Sequence, residues 1–309
     1  MSFDCEIFDA ARQEFLSHLR YAKGHRETTC YAYNADLGQW RNWLQQAGKD
    51  WQWARAADVE QFAAWQLRER RVSAHIVTRR LSCLSSFYRW ALKHEIVEAD
   101  PVYLADKPKR PQRIPVWLER EEQAQLEATL KDRRNIPINI FGNNKTKMTE
   151  TRRRYEMLFG LLLNSGLRIS EALGLKASDV RLVEGTAKSV RVIGKGNKER
   201  LVPLPGAFGA VFGFWLKDRN RGEAVFAKTD GQPVSPQAAR AYLRLMLKKA
   251  GIDKKISPHK LRHTYATNLL NAGAELVDIK ALLGHESIAT TQIYTNVGQE
   301  RMEKVVGRL

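Results

Sequence analysis

The stretch SPHKLRHTYATNLLNAGAELVDIKALLGHESIATTQIY, residues 257–294, decides how the C-terminal part of this chain is read. Ser257 is a good helix N-cap and Pro258 takes the first helical position, where a missing N–H costs nothing, so a helix is expected to start here. His259, Arg262 and His263 then fall one turn apart on a common face, while Leu261, Ala266, Leu269 and Leu270 supply the buried face. Gly273 ends the helix by accepting left-handed backbone. A second helix carries Leu276, Ile279, Leu282 and Leu283 inward, Gly284 stops it, and His285 falls on the turn beyond. Ser287 caps a third helix whose face brings up Tyr294. Two histidines, an arginine and a tyrosine at helix starts and turns suit a small charged target, and a phosphate fits that description.

The i, i+4 spacing of His259 and His263 is also that of a zinc-binding helix. However, Lys260 stands where a metalloprotease motif needs glutamate, and a cation at that place repels a metal. Neither a metal nor a cofactor is expected.

Upstream, NSGLRISEALGL (164–175) reads as a helix end at Gly166 and a new helix near Ser170, with Arg168 in the corner between them. Glu171, three residues on, is near enough to hold that guanidinium. Residues 189–193 and 200–204 alternate in strand fashion around GKGNKE, whose Gly196–Asn197 step signals a turn. This predicts a β-hairpin with Lys195 near its tip and Lys198 as a rival for the same role. The glycines lack the GK[ST] ending and following helix of a nucleotide-binding loop. Helices are expected around 119–130, 155–163, 208–217 and 236–250, and the basic segment 131–154, with its Asn, Gly and Pro punctuation, reads as an exposed loop.

The first hundred residues read as all-helical. Phe8, Ala11, Phe15 and Leu19 mark one amphipathic helix; Leu37, Trp40 and Leu44 mark a second. Asp58 with Gln61 suggests a capping box opening a third, and a fourth from Ser73 carries Ile76, Leu81, Leu84, Tyr88 and Ala91. The tryptophans read as core, and Arg68, Arg70, Arg71, Arg79 and Arg80 as an outer face able to meet phosphates. Then DPVYLADKPKRPQRIP (100–115), with four prolines, breaks regular structure and leaves Lys107, Lys109, Arg110 and Arg113 uncovered. The expected organisation is therefore mainly α in two domains. A helical bundle over 1–105 is followed by a basic linker over 106–116 and a mostly α domain with a small antiparallel β-hairpin over 117–309.

A length of 309 residues with 43% hydrophobic content supports two cores, and a net charge of +17 calls for a polyanionic partner. With neither an apolar run of membrane length nor a basic amphipathic terminal helix, nucleic acid is favoured over a membrane. Cys5, Cys30 and Cys83 show no paired spacing and no signal peptide is evident, so a reduced, cytoplasmic protein is expected.

The segments SGLRISEALGL, VIGKGNKERLVPL, SPHKLRHTYATNLL, LLGH and TTQIYT, in this order, resemble the signature boxes of tyrosine recombinases, the phage-integrase family, and most of all its bacterial Xer-type members. The resemblance implies an enzyme that exchanges strands between two duplex DNA sites through a covalent 3′-phosphotyrosine, without metal or ATP. It makes Tyr294 the nucleophile, Arg168 and Arg262 the phosphate clamp, Lys195 a general acid, and His259 and His285 the remaining catalytic groups, with the base open between the two histidines. Glu171 matches the acidic position that supports the first arginine. Lys107, Lys109, Arg110, Arg113, Lys198 and Arg200 are the expected DNA contacts. The apolar stripe of Val297, Met302 and Val305 resembles a tail that docks on a neighbouring subunit, which implies a homotetramer on DNA, with a second recombinase as an admissible partner. Segment 131–154 is longer than the Xer pattern has here. Two other classes stay open: a catalytically silent DNA-binding regulator, and a topoisomerase-like enzyme that nicks and reseals.

Overall fold

Helical spacing of Phe8, Ala11 and Phe15 buries one face of α1 (Cys5–Ser17), which runs into a single π-helical turn, His18–Ala22, that keeps Leu19 inside. The structure is a computed structural model and describes residues 5–108, 116–132, 145–194, 199–228 and 230–284. The chain divides into two compact units, Met1–Arg113 and Ile114–Leu309.

In the first unit, α2 (Glu27–Ala47) buries Leu37, Trp40 and Leu44 and ends on Gly48 in left-handed backbone. The Trp40 indole donates to the Tyr88 hydroxyl at 3.1 Å, which donates to the Trp51 carbonyl at 2.9 Å, so Trp40 and Tyr88 are core with their side-chain polar atoms satisfied. Helix α3 (Ala56–Arg68) starts differently from expectation: Asp58 is its third residue, and its carboxylate accepts from the Arg55 N–H at 2.8 Å, without Gln61 as box partner. In α4 (Ala74–Lys93) Val77 is buried and Ile76, expected inside, is 37% exposed; the four-residue step to Leu81 runs from Val77. Arg79 and Arg80 are a second correction. Both guanidiniums turn onto the buried Asp36 carboxylate; Arg80, which also bonds Gln66, is largely covered, whereas Arg79 keeps 44% of its side chain exposed. A third concerns the proline-rich segment, which begins as a helical turn, α5 (Pro101–Leu104). Asp100 caps the Val102 N–H at 2.9 Å, and Pro101 and Val102 are buried, because proline at a first helical position is no breaker.

The second unit holds α6 (Arg120–Lys131), α7 (Lys145–Ser165), α8 (Ile169–Leu173), α9 (Gly206–Leu216), α10 (Pro236–Lys249), α11 (Pro258–Asn271) and α12 (Leu276–Leu283). Part of the expected 131–154 loop is helix, since α7 already runs at 145 and buries Thr151, Arg152 and Arg154. Arg152 donates to the Lys131 carbonyl at 2.9 Å and pairs with Glu156 one turn on, so a sequence that looks solvated is partly anchored. The hairpin is the larger part of a three-stranded antiparallel sheet: β1 (Val180–Val183), not foreseen, pairs with β2 (Thr186–Ile193), which pairs with β3 (Glu199–Pro203). Val190 faces Val180 on one side and Val202 on the other. Helix α9 lies directly on β2 because it presents glycine there; a Cβ on Gly209 or Gly213 would stand 2.2 Å from the Ala187 carbonyl or 2.0 Å from that of Gly185. Helix α11 packs along α7 and is buried on more than the one face expected, with Arg262, Thr264 and Thr267 inside beside Leu261, Ala266 and Leu270.

Candidate active site

Helix α7 ends at Ser165, and Gly166, with φ of +62°, turns the chain so that Arg168 becomes the N-cap of α8. The Arg168 N–H donates to Oε2 of Glu171 at 2.9 Å and its Nη1 donates to Oε1 at 2.8 Å. This capping box fixes the side chain's root and orientation while leaving 41% of it exposed.

Glu171 has a second partner. Arg200, on β3, donates through Nη2 to Oε2 at 2.9 Å and through Nη1 to Oε1 at 3.2 Å, and its Nε donates to the Leu282 carbonyl at 3.1 Å. Burial alone would raise the Glu171 carboxyl, but the hydrogen bonds from Arg200 and Arg168 outweigh it and hold it below the usual range. Arg200 was expected on DNA; its three donor atoms are instead committed within the protein, and its side chain is only 14% exposed. The parity of β3 carried the signal, since Arg200 shares the inward face with Val202.

Arg262 is 1% exposed. Its Nη1 donates to the Gly166 carbonyl at 2.8 Å and its Nη2 to the Leu283 carbonyl at 2.5 Å. Those carbonyls lie at the C-terminal ends of α7 and α12, where helix dipoles present partial negative charge, so the cation sits where backbone best tolerates it. Through Arg262 the turn before Arg168 and the turn before position 285 are held in one place, and Arg200 grips the second turn as well.

His259 lies in the first turn of α11, and burial, then Arg262 and Arg168, lower it from the ordinary histidine value. His263, one turn on, stands edge to face with it, ring centroids 4.8 Å apart. Burial first, then His259, Arg262 and Lys260, push His263 down to about 4. Both imidazoles are thus neutral near pH 7, and His259 is free to accept a proton. The sequence put His263 on the same face but gave it no role.

The structure therefore brings Arg168, Glu171, Arg200, His259 and Arg262 together. Lys195, Lys198, His285 and Tyr294, the linker residues Lys109, Arg110 and Arg113, and the stripe Val297, Met302 and Val305 lie outside the described residues. Lys107 is exposed in the first unit. Among the described residues no group of three metal-ligating side chains occurs, and no helix is long and apolar enough to cross a membrane.

The Gly166 corner gives a direct test. A Cβ there would stand 2.4 Å from Tyr265 Cδ1 and 2.8 Å from Leu283 Cδ2, on backbone that L-residues resist. Gly166→Ala is expected to cost about 2–4 kcal/mol in urea unfolding, and a loss within experimental error would contradict this geometry.

The Phage integrase family model matches residues 139–301, and the model of the phage integrase N-terminal SAM-like domain matches residues 13–95. Tyrosine recombinase XerD of Ralstonia nicotianae is 35% identical over 94% of this chain and 91% of its own length. Tyrosine recombinase XerC of Halalkalibacterium halodurans is 34% identical over 94% of each. Among solved structures, XerH site-specific recombinase bound to palindromic difH substrate in a post-cleavage complex shares the fold with a TM-score of 0.70 at 20% identity, over 96% of this chain and 84% of that one. A lambda integrase dimer bound to a COC′ core site gives 0.68 at 16% identity, over 91% and 96%. The arginine–glutamate corner, the buried second arginine and the paired histidines therefore stand in a chain that belongs to the phage integrase family of tyrosine recombinases.

Proposed function

We propose that this chain is a site-specific recombinase that cuts and rejoins duplex DNA through Tyr294. The observation that carries the reading is that Arg262, from α11, donates to the Gly166 carbonyl at 2.8 Å in the turn that leads to Arg168, so two arginines from distant segments meet at one corner, with His259 in the first turn of α11. A phosphodiester repels an attacking oxyanion, and charge grows on its non-bridging oxygens as the attack proceeds. Guanidiniums, always charged and fork-shaped, stabilise that charge better than ammonium groups. Arg168, held by Glu171 yet partly open, is the clamp group that the phosphate meets. Arg262, buried with Nη1 and Nη2 on the Gly166 and Leu283 carbonyls, is the second, adding its positive charge and fixing the turn that leads to Arg168.

In the proposed step the Tyr294 oxygen bonds to phosphorus, its proton passes to a histidine, and the P–O5′ bond breaks. His259, kept neutral, is the base of choice, His285 bonds the phosphate, and Lys195 gives the departing 5′ oxygen its proton. The 3′-phosphotyrosyl link keeps the phosphodiester's energy, so a 5′ hydroxyl from a second site reverses the step and joins a new partner. Neither ATP nor a metal is needed. Residues 1–105 form the proposed DNA-binding domain, 106–116 a basic linker over the duplex through Lys107, Lys109, Arg110 and Arg113, and 117–309 the catalytic domain, with Lys198 at the DNA. Four copies on two duplexes, joined through their C-terminal tails, complete the proposed cytoplasmic assembly.

Incubation with a nicked suicide duplex tests the reading: an SDS-resistant protein–DNA adduct is expected, unchanged by EDTA. A silent regulator gives no adduct, and a topoisomerase-like enzyme relaxes DNA without joining two marked sites. The pH dependence is a separate test. Because His259 is lowered, it stays neutral at and above the usual histidine value near 6.5 and gains a proton only below it. Single-turnover adduct formation should thus be flat on the neutral side and fall only as pH drops below that value, a limb that His259→Asn removes. An acid limb lying above it would contradict His259 as base.

A further inference from the structure

The mechanism leaves unused a cluster of cations on the second unit. A pocket of about 330 Å³ is lined by Glu150, Arg153 and Arg154 of α7, Trp215 of α9, and Arg219 and Lys228 beyond it. Four of these six side chains are cationic and one is a carboxylate. Arg154 is 6% exposed, and its Nε is buried without a hydrogen-bond partner. Among the described residues no ion pair joins Arg154 to a carboxylate; Glu150 and Asp230 act on it only through space. Arg219 is seated beside it, its guanidinium 4.4 Å from the Trp215 ring centroid and its Nη1 on the Ala224 carbonyl at 3.4 Å. Burial lowers both arginines from their ordinary value, and in Arg154 the neighbouring Arg219 adds to the effect.

Arg154 is withdrawn from water with no carboxylate among the described residues bonded to it, and the half-buried Arg219 beside it feels Glu223 and Glu150 only through space, an arrangement that is costly because desolvating a cation is expensive. The pocket is of a size and charge to take a counter-charge from outside, and a planar fork stacked on an aromatic ring is the arrangement best matched to tetrahedral oxyanions. We propose that this pocket is a phosphate-oxyanion site built on Arg154 and Arg219, separate from the Arg168–Arg262 cluster. Arg154 precedes the end of α7 by eleven residues, which places it about 16 Å along the helix from the catalytic corner. The phosphate can come from a DNA backbone or from solution, and the two are separable.

The test uses the full chain as wild type, Arg154→Leu and Arg219→Gln. At constant ionic strength, inorganic phosphate replacing chloride should raise the wild-type melting temperature saturably, by on the order of 3–5 °C at a tenfold excess over its dissociation constant. Both variants should lose at least tenfold in that affinity, and Arg154→Leu should melt no lower than wild type in phosphate-free buffer, since an apolar side chain replaces an unmatched cation. Arg219→Gln, at the pocket rim, keeps the test open should Arg154→Leu fail to fold. Binding to a duplex is then followed against salt. A slope shallower by about 0.9 in Arg219→Gln identifies a DNA phosphate as occupant, and an unchanged slope with a lost phosphate response identifies a soluble one. If wild type and Arg219→Gln agree in both phosphate response and slope, the site does not exist. Neither measurement involves cleavage, so the result stands apart from the assignment of Tyr294.

Discussion

Tyr294→Phe is expected to bind duplex DNA as the wild type does and to form no covalent adduct with a nicked substrate. The substitution removes one oxygen and no charge. Affinity for a duplex rests on cations against phosphates, which the change leaves alone, whereas the bond to phosphorus has nothing left to form with. A phenol has a pKa of about 10, so ionising it near neutral pH costs roughly 3–4 kcal/mol before the site lends help. In the proposed step that help comes from the arginine pair and a neutral imidazole. The other tyrosines of the second unit make the prediction sharp. Burial raises the hydroxyls of Tyr155 and Tyr265, and pushes Tyr242 up to about 12, so none has the environment of an activated nucleophile. An adduct that persists in Tyr294→Phe would mean that another oxygen attacks. Mass spectrometry of the linked peptide would identify it.

How far the sequence disclosed this arrangement depends on whether a signal is local. Capping, glycine stops and helical periodicity are local, and they located α11, α12, the Gly166 corner and the Arg168–Glu171 pair from a single pass. Interactions across the fold were not legible. Arg79, Arg80 and Arg200 look alike in sequence, as exposed cations on a basic chain, yet each finds a buried carboxylate from another element. Nothing near Asp36 or Glu171 in the sequence says that two arginines will share it. The helical start of α7 stayed hidden for a related reason: its buried face is made partly of Thr151, Arg152 and Arg154, which carry no apolar periodicity. Strand β1 has one buried residue in four, too little for alternation to register. Charge counting points to a polyanionic partner but does not say which cations pair inside the protein, as Arg80 and Arg200 do.

Arg262→Lys is expected to lower single-turnover cleavage by about 10²–10³ and to weaken duplex binding far less. The reason lies in what the guanidinium joins. With Nη1 on the Gly166 carbonyl and Nη2 on the Leu283 carbonyl, one planar group fixes two turns at once, one leading to Arg168 and the other to His285. An ammonium is a point donor on a flexible stem and cannot span both while keeping the same direction toward a phosphate. Whichever carbonyl it abandons is left buried, at about 1–3 kcal/mol. Stability and catalysis should therefore fall together, and Arg262→Met separates them. Removing the charge while filling the volume leaves both carbonyls unpaired, so Met should match or exceed Lys in lost stability and exceed it in lost rate. Arg168→Lys should by contrast cost rate with little stability, because its side chain is 41% exposed and Glu171 retains Arg200. Combining Arg168→Lys with Arg262→Lys should cost less than the two separately, since groups that act on one phosphate as a unit are not additive. Full additivity, or a rate for Arg262→Lys within a few-fold of wild type, would mean that the two arginines do not meet on the same anion.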